Sequence, residues 1–362
     1  MKVLHVSTAR SWRGGEQQLA YLAGELQKEK ISQGVCCPAG SPLEASCKDA
    51  GIIVHHFVGR GLLDTTLARL VKTLCRSDNY TLVHAHDSHA HSAAVLASSV
   101  YGNKAAIVVS RRVDFGVSRH FFSKWKYNYK GISRFICVSE KIRSIVAQTV
   151  RDHSKLSVVY DGIDLTRFVP GYQSPLRAEL GIGNQYRIVG NASALADHKD
   201  YFTFVDAAEI ILQKKPGTRF VIIGEGPDRV KIEDYISSKN LQPCFFMTGF
   251  RNQVERLLPG FDIFLMTSST EGLGSILLDA FASGVPVVAT AAGGIPEIVT
   301  ADTGLLAPVK DADALANHVC HLLDDPLLAN RLRQQALTFV KNFSKEIMAG
   351  KTLAVYSESV RR

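Results

Sequence analysis

The chain alternates short apolar runs with longer segments whose apolar residues recur at helical spacing. Apolar runs at 3–7, 52–58, 81–85, 106–110, 135–138 and 156–160 predict strands in the first half. Between the first two, Leu19, Leu22, Ala23 and Leu26 share one stripe and predict a helix over Glu16 to Lys28. Strands separated by helices imply a parallel sheet covered on both faces. The stretch Asp164 to Gln185 breaks this rhythm with Pro170, Gly171, Pro175, Gly181 and Gly183, and reads as the connection between two domains. Strands are then predicted near 187–192, 219–223, 244–248, 262–267, 285–289 and 304–306, with helices such as Tyr201–Lys214 and Ser275–Ala282 between them. The tail Lys345–Arg362 reads as a helix packing back on the first domain. The expected fold class is therefore α/β. Two doubly wound, Rossmann-like domains, 1–167 and 168–344, face each other across a cleft, with 345–362 as the returning helix.

Composition agrees with two packed domains: 46% of the 362 residues are hydrophobic and 21% charged, which excludes a disordered chain. No run approaches the ~18 apolar residues of a membrane span. Met1 to Val6 leads directly into Ser7 and Thr8 and reads as a buried strand, not a signal peptide. Seven scattered cysteines without a C-x-x-C argue against a disulfide framework or structural zinc, and the expected compartment is the reducing cytoplasm.

Charge changes the picture more. Residues 1–165 carry 22 Lys and Arg against 13 Asp and Glu, a balance of +9 within a net +8, so the excess lies wholly in the first half. It is densest from Arg111 to Arg134, where Arg111, Arg112, Arg119, Lys124, Lys126, Lys130 and Arg134 meet only Asp114. Phe121, Phe122, Trp125, Tyr127 and Tyr129 are interleaved with them. Such a mixture suits an anionic membrane surface or a phosphorylated acceptor. It equally suits a solvated helix with its aromatic side in the core. No nucleic-acid partner is expected.

Ligands of doubly wound sheets sit beyond the carboxyl ends of the strands, so the residues that follow strands matter most. Gly14-Gly15-Glu16 follows the first strand and enters a helix; it lacks the G-x-G-x-x-G spacing of a dinucleotide site. Lys199 follows the strand at 187–192 at the start of the next helix, where a cation suits a diphosphate. The most informative segment is Glu271-Gly272-Leu273-Gly274-Ser275, followed by a helix carrying Asp279. Its glycines admit close approach of a ligand, and the helix start attracts an anion. Glu271 and Asp279 are eight residues apart, about 12 Å along a helix axis. That separation is too long for an acid/base pair on one bond and suits two ends of a long ligand.

Together these motifs resemble the retaining family-4 glycosyltransferases of the GT-B fold. The resemblance also rests on Phe220 to Pro227, Thr248-Gly249-Phe250, Ala292 to Val299, His84-Ala85-His86, Val138-Ser139-Glu140 and Asp161 to Phe168. It implies transfer of a hexose-type sugar from a nucleotide-diphosphate sugar to a hydroxyl acceptor, with a lipid-linked or lipopolysaccharide-type glycan as one acceptor class. Neither cofactor nor metal is expected, the nucleotide sugar being a co-substrate. By position, Lys199 would bind the diphosphate and Glu271 the donor sugar. Leu273, Gly274 and Ser275 would turn backbone N–H groups to phosphate, with Gly224 and Gly272 also at the donor. Phe250, Arg251 and Val254 would lie near the base, and Gly14 and Gly15 under the phosphates. His84 or His86 would contact the transferred sugar. Arg111, Arg112, Lys124, Lys126 and Lys130 would face the acceptor or a membrane.

Three departures stand out. Asp279 replaces the family's second glutamate, Asn191 to Ala194 supply no cation where an arginine is usual, and Asp161 begins a turn that usually begins with asparagine. Competing readings are a metal-dependent hydrolase using His84, His86, Asp87, His89 and His91, a nucleotide-sugar epimerase on the same fold, and a silent binding protein.

Overall fold

The computed structural model describes residues 1–57, 65–117 and 120–360, and divides into two units. The first joins Met1–Gly162 to Ser344–Arg362; the second is Ile163–Phe343. The chain thus passes between units at Gly162–Ile163, five residues before the expected boundary, and the irregular stretch after Asp164 belongs to the second unit. At that point Gly162 is clamped by Gln18, which donates to its carbonyl at 2.7 Å and accepts from its N–H at 2.8 Å.

Seven parallel strands form the first sheet: β1 (Lys2–Val6), β2 (Ser32–Pro38), β3 (Ile53–Phe57), β4 (Leu82–Ala85), β5 (Ala106–Arg111), β6 (Ile132–Cys137) and β7 (Leu156–Val158). Their order is β3-β2-β1-β4-β5-β6-β7, so the winding reverses between β1 and β4. Strand β2 escaped the hydrophobic pattern because Ser32, Gln33 and Gly34 interrupt it. The space there is filled from elsewhere: a Cβ on Gly34 would lie 2.1 Å from the Tyr80 hydroxyl. The helix Lys345–Val360 lies in this unit, and its Met348, Ala349, Val355 and Tyr356 complete a core with Val3, Leu82, Val108 and Ile136.

The second sheet has six parallel strands: β8 (Arg187–Ala192), β9 (Thr218–Ile223), β10 (Phe245–Gly249), β11 (Ile263–Met266), β12 (Val287–Thr290) and β13 (Leu305–Ala307). Their order, β10-β9-β8-β11-β12-β13, places the reversal between β8 and β11. Val189, Phe220, Ile222, Leu265 and Val288 are buried against Tyr201, Phe204, Ala208 and Ile211 of the helix Tyr201–Lys214 and against Leu315 and Val319 of Ala312–Asp324. Among the described residues no helix is long and apolar enough to cross a membrane.

Candidate active site

In the second unit, the loops leaving β8 and β11 meet where the sheet reverses, the position where ligands of such sheets bind. Lys199 ends a short turn, Asp197–Lys199, after β8, and Glu271 follows β11. Their side chains form an ion pair, both largely withdrawn from solvent. Ser268 donates to the same Glu271 carboxylate at 3.0 Å. Backbone bonds tie the two loops together: Ser269 N–H donates to His198 O at 2.8 Å, and the Thr267 hydroxyl to Asp200 O at 2.9 Å. The loop after β12 closes the set, since Gly294 N–H donates to Glu271 O at 3.1 Å. Gly293 makes that approach possible. Its φ is +53°, and a Cβ there would lie 1.7 Å from the Glu271 carbonyl oxygen. The pattern Gly293-Gly294 was visible in the sequence, but its contact with Glu271 was not.

Gly274, with φ +83°, turns the chain into the helix Ile276–Ala282. Leu277 and Leu278 give their N–H groups to Gly274 O and Ser275 O, so these two donors are committed. Leu273 points its side chain into the core, while Gly272 and Ser275 are partly buried beside it. Asp279 is also partly buried. Loss of hydration lifts its carboxyl from 3.8 to about 7, against the pull of Arg167 and with the push of Glu255. Arg167 and Glu255 pair with each other at 2.5 Å.

The remaining donor-site candidates of this unit sit on neighbouring loops. Gly224, φ +152°, follows β9, where a Cβ would strike Ser193 O at 1.9 Å. Phe250 is exposed after β10, Arg251 pairs with Glu179, and Val254 opens the short helix Val254–Leu257. Asn191, the first residue of the 191–194 stretch that supplies no cation, is buried. It donates to Leu265 O at 2.7 Å and accepts from the Tyr201 hydroxyl at 2.9 Å, binding β8 to β11.

In the first unit the reversal lies at β1 and β4, and histidines gather there. His5 of β1 is in register with His84 of β4, and the His84 and His86 ring centres are 3.9 Å apart. Both nitrogens of His84 have partners: the Tyr356 hydroxyl at 2.5 Å and Ser110 Oγ at 2.8 Å. His86 Nε2 meets His5 Nδ1 at 3.1 Å, which leaves His86 Nδ1 buried and unpartnered. Of the two histidines singled out in the sequence, His86 is the one with an unpartnered ring nitrogen. His5 and Tyr356 were missed because each sits in an otherwise apolar pattern. Burial holds all three rings neutral: His5 is lowered to about 4, and His84 and His86 well below the usual imidazole value.

Among the described residues, His5, His84 and His86 form the one group arranged to hold a metal, with ligand atoms within 4.8 Å of each other. Both nitrogens of His84 are already occupied, and the Arg112 charge further disfavours a cation there. The hydrolase cluster proposed from the sequence is dispersed. Asp87 caps the helix Ser88–Ser99 and accepts from Thr8, His89 is exposed, and His91 packs edge-on to Tyr127.

Gly14 and Gly15 open the helix Gly14–Lys28 of the same unit, where Arg13 N–H donates to Glu16 at 3.0 Å. Arg111 and Arg112 do not face solvent as expected. Arg111 is buried, donates to Phe115 O at 2.5 Å and lies 4.8 Å from the Phe115 ring. Arg112 pairs with Asp161, and burial lowers its guanidinium to about 10. Arg111 ends β5 and Arg112 follows it, and both turn inward to the carbonyl and carboxylate partners there. Lys126 is held by Ser88 and Ser92, whereas Lys124 and Lys130 are exposed. Arg119 lies outside the described residues.

Comparison with known proteins bears on the family and the fold. Residues 12–167 match the family described as Glycosyltransferase Family 4, and residues 173–339 match Glycosyl transferases group 1. The chain is 26% identical over 306 residues to N-acetyl-alpha-D-glucosaminyl L-malate synthase of Bacillus anthracis, covering 82% of this chain and 80% of that protein. It is 24% identical over 314 residues to the UDP-Gal:alpha-D-GlcNAc-diphosphoundecaprenol alpha-1,3-galactosyltransferase of Escherichia coli, covering 78% and 80%. In structure it is similar to Anabaena HepE in complex with UDP and glucose, with a TM-score of 0.85 at 22% identity over 99% of both chains. A glycosyltransferase from Rickettsia africae gives a TM-score of 0.87 at 20% identity, over 100% of this chain and 99% of that one. The two family matches in tandem, laid over two parallel-sheet domains, make this chain a family-4 glycosyltransferase of the GT-B fold.

Proposed function

We propose that the enzyme moves a hexose-type sugar, with retention, from a nucleotide-diphosphate sugar to a hydroxyl acceptor at the cytoplasmic surface of a membrane. The observation that carries this reading is the Lys199–Glu271 pair at the sheet reversal of the second unit. A lone ion pair so withdrawn from water gains little for stability, because each charge loses hydration to make it. It is better understood as two groups held ready for a ligand: the ammonium for diphosphate oxygens, the carboxylate for sugar hydroxyls. Support comes from Anabaena HepE, which was captured with UDP and with UDP-glucose, and from the Escherichia coli relative, whose name specifies a UDP-sugar and a diphosphoundecaprenol acceptor.

In the proposed reaction the bond from C1 to the diphosphate oxygen breaks. A bond from C1 to the acceptor oxygen forms on the same face, and the acceptor's proton passes to the departing diphosphate. Negative charge grows on that leaving group, so fixed cationic and N–H donors aimed at it supply the largest catalytic term. Lys199 is the donor this chain brings, and no metal is assigned a role. In the second unit Asp279 and Phe250 hold ribose and base.

Release of nucleoside diphosphate from a panel of nucleotide sugars tests the assignment. Lys199→Ala and Glu271→Ala each lower kcat/KM by roughly 10²-fold or more, the scale of a lost transition-state donor. Turnover like the wild type in both purified variants contradicts it.

A further inference from the structure

The most exposed aromatic cluster among the described residues lies on the first unit, and no step of the reaction above uses it. The helix Phe121–Tyr127 turns Phe121 (77% exposed), Phe122 (78%) and Trp125 (40%) to solvent. Positions 121, 122 and 125 share a helical face, and the Phe121 and Phe122 rings meet edge to face at 6.0 Å. Large aromatics are rarely left so open on a folded protein without a partner.

The opposite face shows that this outward presentation is built in. Tyr127 is buried and stacks on Phe135, with ring centres 5.6 Å apart and planes 3° from parallel. Lys126 is pinned to Ser88 and Ser92, and the Asn128 amide spans to Thr149 O at 2.9 Å. A helix locked on one side in this way cannot rotate its phenylalanines inward.

Charge indicates what covers the patch. Lys124 and Lys130 stand exposed at its edge without an ion-pair partner among the described residues, and Asp114 is the sole acid between Arg111 and Arg134. Exposed aromatics ringed by lysines match the interface of an anionic bilayer, where rings settle at headgroup depth and ammonium groups meet lipid phosphates. A protein partner of ordinary composition offers no such field.

We infer that the Phe121–Phe122–Trp125 patch, with Lys124 and Lys130, inserts into an anionic lipid surface, and that the sugar acceptor is borne by a lipid. The first half of this inference stands on the patch alone; the second rests on the transferase reading. The link between them is the anchoring of the helix. Lys126 ties it to Ser88 at the start of the helix that follows His86, so docking brings the bilayer to the carboxyl end of the first sheet.

The test uses the full chain and vesicles of phosphatidylglycerol and phosphatidylcholine, with brominated acyl chains as quenchers. At low salt the wild type cosediments with phosphatidylglycerol vesicles, and its Trp125 fluorescence is quenched; Trp125→Phe removes the quenching and keeps the cosedimentation. Phe121→Ser with Phe122→Ser weakens partitioning at least about tenfold. Lys124→Glu with Lys130→Glu does likewise, since each lysine near such a surface contributes about fivefold. Absence of binding to anionic vesicles overturns the inference, as does binding without quenching. A concentration-dependent dimer that the serine pair dissolves also overturns it, because the patch would then be a contact between copies. Melting of the serine pair with nucleotide sugar keeps the two proposals apart. An intact donor response beside lost vesicle binding supports docking, and a wild type with donor response but no vesicle binding overturns docking alone.

Discussion

Asp279→Asn isolates the most unusual titrating group of the second unit. The substitution keeps the shape of the side chain and removes its charge. In the folded protein the Asp279 carboxyl titrates near 7, whereas its unperturbed value is 3.8, so folding favours the protonated form. The stabilisation linked to that proton is fully present below pH 3.8 and is lost as pH rises to about 7. A displacement of that size corresponds to roughly 4 kcal/mol as a ceiling, and partial exposure of the side chain brings the expected figure nearer 2. Urea melts from pH 4 to pH 8.5, read as wild type minus variant, cancel the contribution of every other group. The asparagine variant should gain on the wild type steadily across this range, by about 1–4 kcal/mol at the top, and the curve should flatten above pH 8. The same titration should appear in the wild type's KM for donor, with affinity for ribose hydroxyls improving as the carboxylate forms. A stability difference that does not change with pH, or one favouring the wild type at pH 8.5, would refute the reasoning.

Two further substitutions probe the supports of the sites. Gly293→Ala places a methyl within 1.7 Å of the Glu271 carbonyl oxygen at a φ of +53°, so the loop carrying Glu271 has to move. It should cost about 1–3 kcal/mol in melting experiments and raise donor KM, with the helix Lys345–Val360 unaffected in hydrogen exchange. Tyr356→Phe removes the hydroxyl on His84 Nδ1 and leaves a buried nitrogen unpaired, at about 1–3 kcal/mol. Its effect should fall on the melting of the first unit while donor-induced stabilisation persists, and loss of donor binding instead would contradict the assignment.

Much of the fold was legible because parallel strands buried on both faces announce themselves as apolar runs. The predicted strand 187–192 and the helix Tyr201–Lys214 match the observed spans to the residue. What escaped was whatever depends on a partner distant in sequence. Strand β2 was hidden by Gln33 and Gly34, whose places in the sheet make sense only beside Ala23 and Tyr80. The inward turn of Arg111 and Arg112 depends on the Phe115 carbonyl and on Asp161, 49 residues beyond Arg112, and local charge counting reads both as surface cations. The hydrogen bond that occupies His84 Nδ1 comes from Tyr356, 272 residues along the chain, and local spacing gives no hint of it. Glu271 and Lys199 were legible as types after strands, but their pairing required the order β8-β11 that only the folded sheet reveals.

The most direct test of the account is thermal denaturation of wild type and Lys199→Ala in the presence of a panel of nucleoside diphosphates and their sugars. A ligand bound to the folded state alone raises its melting temperature, by an amount set by concentration over Kd. The account predicts that at least one nucleotide of the panel stabilises the wild type and that the alanine variant loses most of that response. An equal response in both proteins, or none in the wild type across the panel, contradicts it.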